Sequence, residues 1–175
     1  MNIWHDAPVG SVKKDLFDAF IEIPKGCKVK YELDKSTGLL RVDRVLYTST
    51  VYPCNYGLIP LMLADDGDPL DVLVLCTERI VPGAIVKCLP IGVIKMVDGA
   101  AMDEKVIAVP QNDPYYKHYG DITELPKHIF DEMMHFFEVY KALEDKSTFV
   151  DNIYGKAEAE EIIAKCLAAY EEKFK

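Results

Sequence analysis

Three aspartates fall within six residues in Asp66-Gly67-Asp68-Pro69-Leu70-Asp71. Gly67 permits a tight backbone path, and Pro69 fixes one torsion and removes a donor. Carboxylates held this close repel one another, so the segment is costly unless cations neutralise it. Hard divalent ions prefer carboxylate oxygen, which makes Mg2+ the first candidate cofactor and Mn2+ or another divalent ion the substitute. Taken alone, the segment also reads as an acidic surface turn. It is not an EF-hand loop, because the spacing differs and the bidentate glutamate at the twelfth position is missing.

Two further segments bring charges together. Asp98 and Asp103 bracket Gly99-Ala100-Ala101-Met102, a hairpin connection. Direct pairing sets Asp98 opposite Asp103 and Met96 opposite Lys105, so Asp98, Asp103 and Lys105 share one face. Closing Lys28–Leu33 on Leu39–Leu46 through Asp34–Gly38 sets Lys30 opposite Val42, Glu32 opposite Leu40 and Lys28 opposite Arg44. Lys30, Glu32 and Arg44 then share a face, and a one-residue slip would undo it. A solvated charged face is the competing reading for Lys30 and Glu32. Val51-Tyr52-Pro53-Cys54-Asn55-Tyr56-Gly57 reads as a shaped loop rather than a strand, with tyrosines that more often pack than act.

The elements that must position these residues change character along the chain. Up to about residue 110, Val, Ile and Tyr are punctuated by Gly and Pro, which predicts strands and turns. The strand candidates are Leu16–Ile23, Lys28–Leu33, Leu39–Leu46, Asp71–Cys76, Ala84–Asp98 (bent near Pro90) and Asp103–Val109. In the first, Phe17, Ala19, Ile21 and Ile23 share a face, with Asp18, Phe20 and Glu22 on the other. From about residue 124 the chain reads as helix, with one helix over about 125–144 and a second over about 156–174. Ile129, Met133, Phe136, Phe137 and Tyr140 fall on one stripe, and Ile163, Cys166, Leu167, Tyr170 and Phe174 on another; both are core faces. The expected architecture is mainly β: a single-domain, antiparallel β-barrel with two flanking α-helices.

Composition narrows the function. A net charge of −9 with no basic run argues against nucleic acid held by phosphate attraction. Five widely spaced cysteines without a C-x-x-C pair read as free thiols of a reducing cytoplasm. No signal-peptide pattern opens the chain and no apolar run approaches the roughly 20 residues that span a bilayer, so neither export nor a membrane is expected. His5, His118, His128 and His135 show no ligand spacing.

Together these segments resemble the soluble family I inorganic pyrophosphatases. Asp66-Gly67-Asp68-Pro69-Leu70-Asp71-Val72 matches the family signature without departure. Glu22-Ile23-Pro24, Lys30-Tyr31-Glu32, Val42-Asp43-Arg44, Tyr52 to Gly57, Asp98…Asp103-Glu104-Lys105 and Tyr140-Lys141 follow in the family's order over about residues 20–145. The resemblance implies an OB-type barrel and Mg2+-dependent hydrolysis of pyrophosphate to two phosphates. It also implies, from the short bacterial length, a homohexamer. It places Asp66, Asp71, Asp98, Asp103 and Glu22 among the metal ligands, and Asp68 beside the attacking water. Lys30, Arg44, Tyr140 and Lys141 fall where the family grips phosphate. Glu32, Tyr52, Tyr56 and Lys105 fall in the surrounding polar shell, with Tyr56 and Lys105 closest to the chemistry.

Charge supports that reading. Seven acids against Lys30, Arg44, Lys105 and Lys141 leave −3, and pyrophosphate adds roughly −3 to −4, a load that only several divalent cations balance. Hydrolysis would then proceed by in-line attack of an activated water, with no covalent intermediate. Three rivals stand beside it: a non-catalytic OB-type binding module, a structural Ca2+-binding protein, and an enzyme of this fold acting on a nucleotide or polyphosphate.

Overall fold

The computed structural model describes residues 2–99 and 101–175. In chain order its elements are α1 (Ile3–Asp6), β1 (Phe17–Ile23), β2 (Val29–Leu33), β3 (Leu40–Val45), β4 (Asn55–Ile59) and β5 (Leu70–Val74). They are followed by β6 (Ile85–Asp98), β7 (Ala101–Pro110), a 3-10 turn (Ile122–Glu124), α2 (Lys127–Val139), β8 (Thr148–Gly155) and α3 (Lys156–Phe174).

The strands β1, β4, β5, β7 and β6 bond in that order, and β6 returns to β1, closing a five-stranded OB-like barrel. Long β6 makes the closure: its first residues pair with β1 (Phe17↔Cys88, Ala19↔Val86) and its last with β8 (Val97↔Phe149). The bend expected near Pro90 appears as a register shift between Pro90 and Gly92, where a residue without an N–H interrupts the ladder.

Five expectations need correction. The barrel is not wholly antiparallel: β5 and β7 run parallel (Asp71↔Lys105, Val72↔Val106), because the β6–β7 hairpin turns the chain back before it reaches β5. The β2–β3 hairpin stands apart as its own two-stranded sheet. Within Val51–Gly57, Asn55-Tyr56-Gly57 begin β4, fully buried between β1 and β5; the proline that argued for a loop ends two residues earlier. The stretch between the helices forms β8 on the outer edge of β6, and α2 stops at Val139 instead of continuing to 144. Beyond that end, Ala142 N–H donates to Val139 O and Glu144 N–H to Lys141 O, tight turns that do not extend a helix.

Alternate residues of the wall serve two cores. Val72, Val74 and Val106 pack with Ala159, Ile163 and Cys166 of α3, while Leu73, Ile94 and Ile107 pack with Met133, Phe136 and Phe137 of α2. A third, smaller cluster joins Trp4 and Ala7 to Phe20, Leu33, Leu58, Leu61 and Tyr170. Register irregularity at Glu22 moves Ile23 out of the α3-facing set that holds Phe17, Ala19 and Ile21 and into the α2-facing one. After β4 the chain leaves through Leu61, whose φ of 56° costs an L-residue roughly 1 kcal/mol.

Candidate active site

One cleft of about 250 Å³ gathers nearly all the candidate residues. β1 contributes Glu22 and β2 contributes Lys30 and Glu32, while Tyr56 comes from β4. The loop entering β5 supplies Asp66 and Asp68, and β5 itself supplies Asp71. Asp98, Asp103 and Lys105 come from the β6–β7 hairpin, and Tyr140 and Lys141 from the end of α2. The five-strand closure therefore brings together residues far apart in sequence.

The hairpin register differs from the direct pairing by two residues: Asp98 stands opposite Ala101, and Asp103 opposite Met96. A two-residue shift preserves the alternation of faces, so Asp98, Asp103 and Lys105 still point the same way. Ala100 of the expected connection lies outside the described residues. In the β2–β3 hairpin the slip is one residue, with Glu32 opposite Arg41 and Tyr31 opposite Val42. A bulge at Asp43 then sets Arg44 opposite Lys30 in place of the expected Lys28, on the same face as Lys30.

Lys105 is the centre of the charge arrangement. Only 2 % exposed, its Nζ donates to Asp71 Oδ2 at 2.7 Å, to Asp103 Oδ1 at 2.8 Å and to Tyr56 Oη at 3.1 Å. Tyr56 Oη also donates to Asp71 Oδ2. Burial would lower the Lys105 ammonium, but Asp71 and Asp103 more than offset it and hold the lysine charged. On the acid side, burial raises Asp103 and Asp66, with neighbouring carboxylates adding to the rise. Glu22, 6 % exposed, is pushed up to about 8, first by burial and then by Asp71, against the opposing hydrogen bond from Leu33 N–H. Asp98 pairs with Lys141.

Three placements were not foreseen. Lys35, from the turn between β2 and β3, lines the cleft and pairs with Asp68; the turn chemistry of Asp34–Gly38 hid it, since a lysine in a turn is normally solvated. Arg44 is not in the lining: it pairs with Asp43 and, at 2.7 Å, with the buried carboxylate of Glu144 beyond α2. Tyr52 is likewise outside the lining, 1 % exposed and packed against Tyr56 and Phe136. Asn55 is a structural brace, its Oδ1 accepting from Lys25 and Ile80 N–H while its Nδ2 donates to Glu78 O.

Among the described residues, no three acidic, histidine or cysteine side chains converge closely enough to enclose one ion; lysine ammoniums stand between the carboxylates instead. The donor set nonetheless fits hard divalent cations. The only titratable anions of the lining are carboxylates and tyrosines, with no thiol or imidazole. Burial and mutual repulsion raise three of those carboxyls, the strain that added positive charge relieves.

The comparisons agree with this geometry. The family model described as inorganic pyrophosphatase matches residues 19–171, extending through β8 and most of α3. The soluble inorganic pyrophosphatase 2 of Chlamydomonas reinhardtii is 48 % identical over 171 residues, covering 98 % of this chain and 89 % of that protein. The inorganic pyrophosphatase of Thermus thermophilus superposes with a TM-score of 0.93 at 38 % identity, covering 98 % of this chain and 99 % of that one. That of Helicobacter pylori gives 0.90 at 43 % identity, covering 95 % and 99 %. An OB-like barrel, a carboxylate-rich cleft at its mouth and matches that run nearly end to end place this chain in the inorganic pyrophosphatase family.

Proposed function

We propose that the chain is an Mg2+-dependent inorganic diphosphatase, hydrolysing pyrophosphate to two phosphates, with the whole chain acting as one domain. The observation that carries the proposal is a single cleft holding seven carboxyls and four lysines, formally −3. An oligonucleotide-binding OB surface presents cations and aromatic faces instead, and a purely structural Ca2+ site leaves the lysines without purpose. Divalent-metal dependence is general to the family, and Mg2+ is the ion this oxygen-only donor set suits best.

Asp66, Asp71 and Asp103 would hold the tightest ions, with Asp98 and Glu22 assisting; so bound, the ions neutralise pyrophosphate and lower the pKa of the attacking water. Asp68 then accepts the water's proton. Lys30, Tyr140 and Lys141 orient the phosphates and stabilise charge on the leaving one. Arg44 serves the same end by turning from Glu144 toward substrate. Tyr56 and Lys105 fix Asp71 and Asp103, and Glu32 and Tyr52 support them.

The wider form of the proposal is a cytoplasmic homohexamer acting without nucleic acid or membrane. It is supported by the short length shared with the bacterial relatives. In keeping with it, none of the helices described is long and apolar enough to cross a membrane. Phosphate release from pyrophosphate, measured with Mg2+, without it and with a chelator, tests the activity. Release that requires Mg2+ is expected; no metal-dependent release would remove this function.

A further inference from the structure

The first residues of the chain lie behind the cleft, not in it, yet they touch both loops that bring charge to the proposed water site. Trp4 is buried, and its indole Nε1 donates to Met62 O at 2.7 Å. Its own carbonyl accepts from Leu61 N–H at 2.9 Å. These two bonds grip the residue with the left-handed backbone and its neighbour, where the chain leaves β4 for the loop carrying Asp66 and Asp68. A strained conformation persists only where its surroundings over-determine it, and Trp4 supplies that constraint.

The same turn holds the opposite loop. Asn2 Oδ1 accepts from Trp4 N–H at 3.1 Å, capping α1, while Asn2 Nδ2 donates to Lys35 O at 2.8 Å. Lys35 Nζ lies 5.7 Å from the centroid of the Trp4 ring and pairs with Asp68. Trp4 also packs in one cluster with Leu33 and Leu58, both of which line the cleft. The loop's far side is tied to α3 by Leu63 N–H donating to Cys166 O at 3.1 Å.

We propose that Trp4 is a positioning residue for Asp68, tying the loop that carries Asp66 and Asp68 to the turn that carries Lys35 from behind the cleft wall. This rests on the reading of Asp68 as the acceptor of the water's proton. Misplacement of a reacting group by a fraction of an ångström lowers turnover without weakening substrate binding in proportion, so the effect belongs in kcat.

Trp4→Phe keeps an aromatic ring in the cluster but removes the donor to Met62 O together with part of the indole's bulk, which the urea midpoint reads separately. Asn2→Asp keeps the oxygen that caps Trp4 N–H and removes the donor to Lys35 O. Three quantities would be measured on the full-length protein with Mg2+: kcat and KM for pyrophosphate, the urea midpoint, and amide exchange at Leu61, Leu63, Ala64 and Gly67. For Trp4→Phe the expected result is a kcat roughly tenfold lower with KM within about twofold. Exchange across those amides should be roughly tenfold faster, with that of β6 and β7 unchanged. Asn2→Asp should show a smaller change of the same kind. Wild-type kcat and loop exchange in Trp4→Phe would overturn the proposal, as would a lowered urea midpoint with turnover per folded molecule unchanged, which would make Trp4 a packing residue. Absence of Mg2+-dependent turnover in the wild type would instead remove the reading of Asp68 and this role with it, and the exchange data would still show whether Trp4 holds the loop.

Discussion

Lys105 Nζ sits 2.7 Å from Asp71 Oδ2 at the parallel β5–β7 pairing, where the two residues are register partners. The lysine is almost fully buried, so removing its charge strands Asp71 and Asp103 in a poorly solvated wall. Lys105→Met is therefore expected to lower stability in chelator-containing buffer by about 3 kcal/mol. Added Mg2+ should recover part of the loss, because ions compensate the same two carboxylates. Urea denaturation with and without Mg2+ measures both; a loss that metal leaves unchanged would separate these acids from metal binding.

Glu22 gives the stability of the metal-free protein a pH dependence. Its carboxyl stands at about 8 in the folded chain against an ordinary 4.5. Between those values the folded state keeps a proton that the unfolded chain releases, so stability falls as pH rises, by up to about 1.4 kcal/mol per unit. Glu22→Gln removes this dependence. In metal-free denaturation at pH 6 and pH 8, the wild type should lose stability relative to the variant, and parallel behaviour would refute the account.

Asp68 bears on chemistry more than on folding, since it is half-exposed and its charged partner is the exposed Lys35. Asp68→Asn should reduce kcat for pyrophosphate by about 100-fold or more, with little change in KM or in thermal midpoint. Steady-state phosphate release decides this, and wild-type turnover would remove Asp68 from the proton-accepting role.

Gly57 allows β1 and β4 to approach. A Cβ there would lie 1.9 Å from Phe20 O and 2.9 Å from Ile21 Cα, both backbone atoms. Gly57→Ala should therefore cost about 3 kcal/mol, at the upper end for overpacking, and loosen Tyr56 beside Asp71. Calorimetry would show it, and a neutral substitution would mean that the strands separate without cost.

The acids were legible because their type and spacing are chemically costly without cations, and Asp98, Asp103 and Lys105 survived a register error because the error was even. Arg44 reached its expected face through a bulge at Asp43 that cancels an odd slip, an outcome period-two reasoning has no means of foreseeing. β4 was hidden by Pro53, and β8 by polar residues and a position between two helices, where no alternating pattern stands out. The parallel pairing of β5 with β7 depends on which strand the hairpin docks against, a choice made by packing against α2 and α3 and not by local pattern. Lys35 and Glu144 were missed because their partners are distant in sequence.

Barrel closure also sets an order of events during synthesis and folding. Phe17 pairs with Cys88 and Asp18 with Lys87, contacts that span some seventy residues and bear a loop-closure cost before any interaction repays it. Asp71 meets Lys105 only after β6 and β7 are both in place. A nascent chain that has emerged as far as β5 already carries Glu22, Asp66, Asp68 and Asp71, and Lys35 to pair with Asp68, but not the ammonium that Asp71 meets in the finished barrel. The buried charge therefore comes late in the chain: the last strand of the barrel brings the lysine that stands between Asp71 and Asp103.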